Sequence, residues 1–206
     1  MSLFNKTTKK ELMINNMLNV KDNNDILDSF TVMQNEIEVS FNTQVVAITS
    51  INRDDYAAAF AKGFADTYAL HNSKVLIVDA NLYNPVLKEL IDNAGIETKK
   101  SNEEDNIIAL NESVSLLSLA KATYPPEIYK GGTIHKIIEE NKDKFDHFVI
   151  LTPSIKEHKE LVLLNDVVNS VILLTQRNIT KRKDIFEAIR YCAYSKLPLA
   201  KTVVLK

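Results

Sequence analysis

The sequence predicts an α/β protein in which a mostly parallel central sheet carries helices on both faces, a three-layer arrangement. Five apolar runs predict the sheet: "QVVAITS" (44–50), "KVLIVDA" (74–80), "VSLLSLA" (114–120), "FDHFVILTPS" (145–154) and "SVILLTQ" (170–176). They are rich in β-branched residues and lack period-two alternation, the pattern of strands buried on both faces. Between them lie segments with apolar residues every three or four positions, the helical period, so strands and helices alternate along the chain. At 206 residues, 45% hydrophobic and 25% charged, the chain is long enough for a single large core.

The elements follow in order. Residues 1–25, rich in Lys and Asn, read as a loose, flexible N-terminal arm with one helical turn, and residues 26–206 as one domain. Ile26, Phe30, Met33 and Ile37 predict a helix over 26–39. The strand 44–50 leads to a helix over 55–70, with Phe60, Phe64 and Tyr68 on one stripe, then the strand 74–80 and a helix over 84–94. Residues 97–106 read as a polar loop, and a helix begins after Pro125-Pro126, where proline suits a first turn. Thr180 is placed to cap a helix over 181–195, and "TVVLK" (202–206) is the last strand.

Composition bounds the function. A net charge of −2 gives no sign of nucleic-acid or anionic-membrane binding, and four glycines are few for a mechanism built on Gly-rich loops. The single Cys192 excludes an internal disulfide framework and fits a reducing compartment. The N-terminal stretch is polar, unlike a signal peptide, and no apolar run reaches membrane-spanning length. The expectation is a cytoplasmic protein, open to recruitment to the inner face of the membrane. His71, His135, His147 and His158 show no metal-ligand spacing, so no metal site is expected.

In sheets of this kind ligands bind at the carboxyl ends of the strands. Three segments end such strands here, and their motifs carry a resemblance. "VLIVDANLYNP" resembles the second nucleotide motif (apolar run, then Asp-x-Asp-x-x-x-Pro) of the bacterial tyrosine kinases of capsule and exopolysaccharide synthesis. That family belongs to the deviant-Walker P-loop ATPases, alongside the partitioning and MinD-type proteins. "FDHFVILTPS" is similar to its third motif, an apolar strand ending in Asp-Thr-Pro-Pro, and "LLSLAKATYPPEI" to the strand and Pro-rich loop between them. "DSFTVMQNEI" resembles the N-terminal helix with its Glu-x-x-Arg-x-x-Arg oligomerisation motif. The resemblance spans about residues 20–206 in unbroken order, and implies a P-loop NTPase-like fold.

The same alignment places the family's phosphate loop, Pro-Gly-x-Gly-Lys-Ser-Thr, on Arg53, Asp54, Asp55, Tyr56, Ala57, Ala58 and Ala59, without a gap before Leu76. A phosphate loop works because glycines let backbone N–H groups converge on the anion while Lys neutralises it. Losing the Lys removes charge-assisted bonds of about 1.5–3 kcal/mol each. A carboxylate about 4 Å from a phosphate adds repulsion of up to about 4 kcal/mol. Holding a non-Gly residue at positive φ costs about 1–2 kcal/mol more. Together these exceed about a thousandfold in affinity, so ATP binding in the usual mode is not expected. The Mg²⁺-binding hydroxyl falls on Ala58. In the second motif Asp79 survives, but its partner is Asn81 and an Arg often found next is Tyr83. In the third, the metal-linked Asp is Leu151, and the helix motif reads Asp28, Thr31 and Gln34.

Plainer readings stand beside these. Asp79 is either a relic metal-linked carboxylate or a polar strand end capping the next turn. Asp54 and Asp55 either exclude nucleotide or stabilise a helix N-terminus through its dipole; both can hold together. Arg177, Lys181, Arg182 and Lys183 oppose the dipole at a helix start, which invites a docking patch for an acidic partner, against the plainer solvated surface. Tyr191 and Tyr194 read as packing residues. The resemblance and its departures imply a catalytically inactive, pseudokinase-like protein without cofactor. Such a protein acts by binding a kinase paralogue, that kinase's membrane-spanning activator or the polysaccharide assembly enzymes, and a homodimer stays open. The alternatives are a kinase or ATPase that holds ATP and Mg²⁺ in a non-standard way, and a ParA/MinD-like scaffold outside polysaccharide synthesis.

Overall fold

The structure is a computed structural model that describes residues 8–41, 44–100 and 106–205. The chain order is α1 (Lys9–Leu18), α2 (Asn24–Phe41), β1 (Val45–Ser50), α3 (Asp54–Leu70), β2 (Val75–Asp79), α4 (Leu87–Asn93), β3 (Lys99–Lys100), β4 (Ile107–Ala109) and β5 (Val114–Ser118). It continues with α5 (Pro125–Lys130), α6 (Thr133–Asn141), β6 (His147–Leu151), β7 (Ser170–Gln176), α7 (Arg182–Tyr194) and β8 (Leu199–Leu205). The eight strands form one sheet in the order β3-β4-β5-β2-β6-β1-β7-β8. From β5 to β8 every pairing is parallel; the short β4 pairs antiparallel with both β3 and β5 and alone runs against the rest.

Successive strand residues face opposite layers, which explains why the sequence shows no polar alternation. In β1, Val46 and Ile48 pack with α1 to α4, while Val45 and Ala47 pack on the other side with Tyr129 of α5, Ile134 of α6 and Cys192 of α7. Helix α3 is the most enclosed element: Tyr56–Tyr68 are all buried. It lies between the sheet and α1/α2, and small residues (Ala57, Ala58, Ala59, Ala61, Gly63, Ala65) make room for both. A Cβ at Gly63 would lie 2.5 Å from the Met17 carbonyl oxygen and 3.0 Å from the Phe30 ring. The expected aromatic stripe is present, with Phe60–Phe64 and Phe64–Tyr68 ring centroids 6.2 and 5.3 Å apart. Lys62 and Asp66, also inside this layer, pair at 2.5 Å, and Asn111 donates to the second Asp66 oxygen at 3.1 Å.

Four expectations need correction. The segment read as a loose arm contains α1, which opens on a Thr8/Glu11 capping box and buries Ile14, Met17 and Leu18 against α3; the apolar residues among its asparagines supply that face. Residues 1–7 lie outside the described residues. The polar loop at 97–106 includes β3, and β4 follows it directly; residues 101–105 lie outside the described residues. Thr180 does not cap α7: its hydroxyl accepts from the Gln176 N–H and donates to Asn52, while Lys181 holds the N-cap position without a side-chain bond. Tyr194 is 79% exposed and not a packing residue, whereas the Tyr191 hydroxyl donates to the Lys159 carbonyl at 2.6 Å.

Replacing Gly63 with Ala is expected to lower stability despite the better helix propensity of Ala. The overpacking cost of about 1–3 kcal/mol exceeds a propensity gain of about 1 kcal/mol. A urea midpoint at or above that of the wild type would show that α1 is free to yield.

Candidate functional site

The carboxyl ends of β1, β2 and β6 converge on one region, as a parallel sheet of this topology requires. Ile51 to Arg53 bridge β1 and α3, and Arg53 is extended (φ −143°, ψ 100°). The helix is bonded from its first turn, the Ala57 N–H donating to the Arg53 carbonyl at 3.2 Å. Among the described residues, positive φ occurs only at Asn72, Asn178, Lys196, Gly95 and Gly132, none in this turn. The backbone therefore runs straight into helix instead of curling its N–H groups around a centre.

Asp54 and Asp55 sit in that first turn and face different partners. The Asp54 carboxylate accepts from the Ser50 hydroxyl at 3.3 Å and from the Asn81 amide at 2.9 Å. Burial pushes its pKa up, against the pull of those two bonds, and the charge of Glu157 adds to the rise. Asp55 is clamped by Arg53 through two bonds at 2.9 and 2.5 Å, and by Lys10 of α1 at 2.8 Å. Burial alone would raise its pKa, but the two cations together hold it below the usual carboxylate range. Both cations nearest the turn are thus drawn onto a single carboxylate. The Arg53 guanidinium also lies over the Tyr56 ring at 4.7 Å.

Asp79 ends β2 and is fully buried. Its two oxygens accept from the N–H groups of Asn81 at 3.1 Å and Leu87 at 3.2 Å, so the side chain organises the turn into α4. Burial outweighs these bonds, and its pKa rises to about 6. Asn81 links the acids: its backbone donates to Asp79, its amide to Asp54, and its side-chain oxygen accepts from the Asn84 N–H at 3.1 Å. Ala57 and Ala58 point into the core beside Leu151, which lies level with Asp79 across the β2–β6 ladder. After β6 the chain folds over β1: Thr49 donates to the Pro153 carbonyl, Ser154 to that of Ile51, and the Ile155 N–H to that of Ser50.

The structure therefore gathers Asp54, Asp79 and Asn81 into one hydrogen-bonded set, turns Asp55 toward α1, and leaves Ala57, Ala58 and Leu151 out of the site. A cavity of about 370 Å³ remains beside it, with Lys10, Asn52, Arg53, Asp54, Asp55 and Glu157 among its lining residues. Arg177, Lys181, Arg182 and Lys183 are exposed at the start of α7. They flank this end of the sheet next to the Thr180–Asn52 bond, and Lys156 reaches their helix through Asp184 at 2.8 Å. Sequence reading did not anticipate Tyr83, His158 and Glu160, which form a group of their own. The Tyr83 ring stacks on His158 with centroids 3.5 Å apart, and its hydroxyl donates to Glu160. Burial and that carboxylate push the Tyr83 pKa up to about 12. Among the described residues no three His, Cys, Asp or Glu side chains are grouped to hold a metal ion, and no helix is long and apolar enough to cross a membrane.

The raised pKa of Asp79 carries a stability consequence. The folded state holds this proton more tightly than an unfolded chain with a pKa near 3.8, so stability is gained as pH falls through about 6 and lost as it rises again. The difference is on the order of 3 kcal/mol across that window. Asp79→Asn should remove it: urea unfolding at several pH values is expected to show the variant gaining on the wild type as pH rises from about 4 to above 6. A constant difference would place the charge outside the folded-state balance.

No protein-family model matches the sequence. The chain is 23% identical over 169 residues to the tyrosine-protein kinase CpsD of Streptococcus agalactiae, covering 77% of this chain and 73% of that protein. Its fold superposes on the chimerical protein CapA2B2 with a TM-score of 0.74 at 17% identity, over 86% of this chain and 83% of the other. On the kinase domain of the Escherichia coli tyrosine kinase ETK the TM-score is 0.73 at 13% identity, over 87% and 74% of the two chains. The sheet and its flanking helices are those of a P-loop NTPase-like fold. The chain is thus similar in sequence to the tyrosine-protein kinase CpsD and shares the fold of bacterial tyrosine kinase domains.

Proposed function

We propose that this chain is a non-catalytic, regulatory relative of those kinases that works in capsule or exopolysaccharide synthesis by binding other proteins. The observation that carries the reading is the Asp54 carboxylate, held by Ser50 and Asn81 in the turn where an anion would have to enter. The residues present do not fit a nucleoside triphosphate with Mg²⁺. Arg53 and Lys10 are both turned onto Asp55, Ala57 and Ala58 are buried and bring no side-chain polar atom, and the turn has no left-handed residue to aim N–H groups at a phosphate. A non-standard nucleotide mode would have to recruit Asp79 together with the basic cluster Arg177, Lys181, Arg182 and Lys183, and both oxygens of Asp79 already serve backbone N–H groups. The partner is a kinase paralogue, its membrane-spanning activator or an assembly enzyme, and the basic start of α7 offers it a docking point that complements acidic groups.

Isothermal titration of the whole chain with ATP and Mg²⁺ tests this. No saturable heat is expected; micromolar binding would overturn the reading.

A further inference from the structure

The sheet ends differently on its two sides. At one edge stands β3, two residues long and both of them lysine, the kind of short, charged strand that resists pairing. At the other stands β8, seven residues long and without proline, whose one charge, Lys201, is already held by Glu36 at 2.5 Å. The ladder to β7 skips Ala200 and then runs in register from Lys201 to Leu205. Within that stretch the Val203 carbonyl accepts from the Thr175 hydroxyl at 3.0 Å and the Leu205 carbonyl from the Arg177 N–H at 2.8 Å, so both face β7. Alternation along a strand then aims the N–H and C=O groups of Thr202 and Val204 out of the sheet. Val203 and Leu205 send their side chains into the α1–α4 layer, and Thr202 and Val204 stand exposed, Val204 at 57%.

This edge is complementary to itself. Laid antiparallel across a two-fold axis at Val203, the stretch sets Thr202 opposite Val204 of a second copy on either side of the axis. Each such pair exchanges both of its outward backbone hydrogen bonds, so every free N–H and C=O of the stretch finds a partner. At the axis Val203 meets its own copy with Cα atoms about 4.5 Å apart, a β-branched pair of the kind that stabilises sheets. Lys201 falls opposite Leu205, which keeps the two lysines about 13 Å apart along the strands and off one another's field. We infer that two copies join β8 to β8 across this axis, extending both sheets into one and closing as an isologous dimer. The pairing is made by the β8 backbone and is independent of whether nucleotide binds.

Light scattering coupled to size exclusion tests it on the full chain over a range of concentrations. The wild type is expected to climb toward twice its 23.3 kDa monomer mass and to stop there. Thr202→Pro removes an N–H that serves no bond within the copy, and should leave a folded monomer. T202K/V204K sets lysine against lysine across the axis on two exposed positions, and should weaken the dimer by at least about tenfold. T202E/V204E should do the same, and an equimolar mixture of the two charge variants should restore a dimer. Val203→Cys should form a disulfide-linked dimer under mild oxidation, since the axis brings its Cα atoms within bridging distance; the wild type, with Cys192 buried, should not. Thermal melts show which variants fold, and the charge pair carries the test if the proline does not. A wild type that stays monomeric at every concentration overturns the inference in favour of a foreign strand on this edge. Charge variants that dimerise like the wild type, a mixture that stays monomeric, or a mass that grows past two copies overturns it as well.

Discussion

The close approach of α1 to α3 at Gly63 sets the terms for the rest of the molecule. With the Met17 carbonyl so near that position, any side chain there would push α1 away from α3. Dense packing of this kind transmits displacement instead of absorbing it. The Lys62–Asp66–Asn111 set pins the same helix from the side, and a buried pair of this kind is costly to break because one charge is left without its partner. These contacts hold α3 against its neighbours, and Asp54 lies at its start.

That placement accounts for the character of the strand-end region. A buried carboxylate is tolerated only where hydrogen bonds offset its desolvation. Ser50 and Asn81 provide them for Asp54, and two backbone N–H groups do so for Asp79. The loop after β6 closes the space further through side-chain and backbone bonds to β1 and the turn after it. The carboxylates of the region are thus satisfied by its own groups. Helix α1 contributes Lys10 to this balance, so the N-terminal helix is part of the site as well as a cover for α3.

Much of this was legible in the sequence. The apolar runs marked the five central strands because burial on both faces leaves no room for polar alternation. The aromatic spacing at Phe60, Phe64 and Tyr68 marked the buried stripe of α3. The spacing from the turn to Leu76 pointed to the end of β1, where Asp54 meets Asn81. Other features depended on contacts that no local pattern encodes. Helix α1 opens on the Thr8/Glu11 signature, which was readable, but its surrounding Lys and Asn residues masked an apolar face that only α3 completes. Lys62 and Asp66 look like a solvated helical pair four residues apart, and become a core pair only because α1 and α2 cover them. The Tyr83–Glu160 bond joins segments 77 residues apart. Thr180 had the right chemistry for a helix cap, yet the loop from β1 offered its hydroxyl a competing partner in Asn52.

The burial of Cys192 has a practical side. Thiols react as thiolates, and this one is both enclosed by the α7 layer and pushed up to a pKa of about 11, so it stays protonated and shielded while the helix is seated. It is also the chain's single sulfhydryl. Alkylation therefore proceeds only as fast as α7 lifts from the sheet, and the label acts as a clock for that one opening, unmixed with signals from elsewhere.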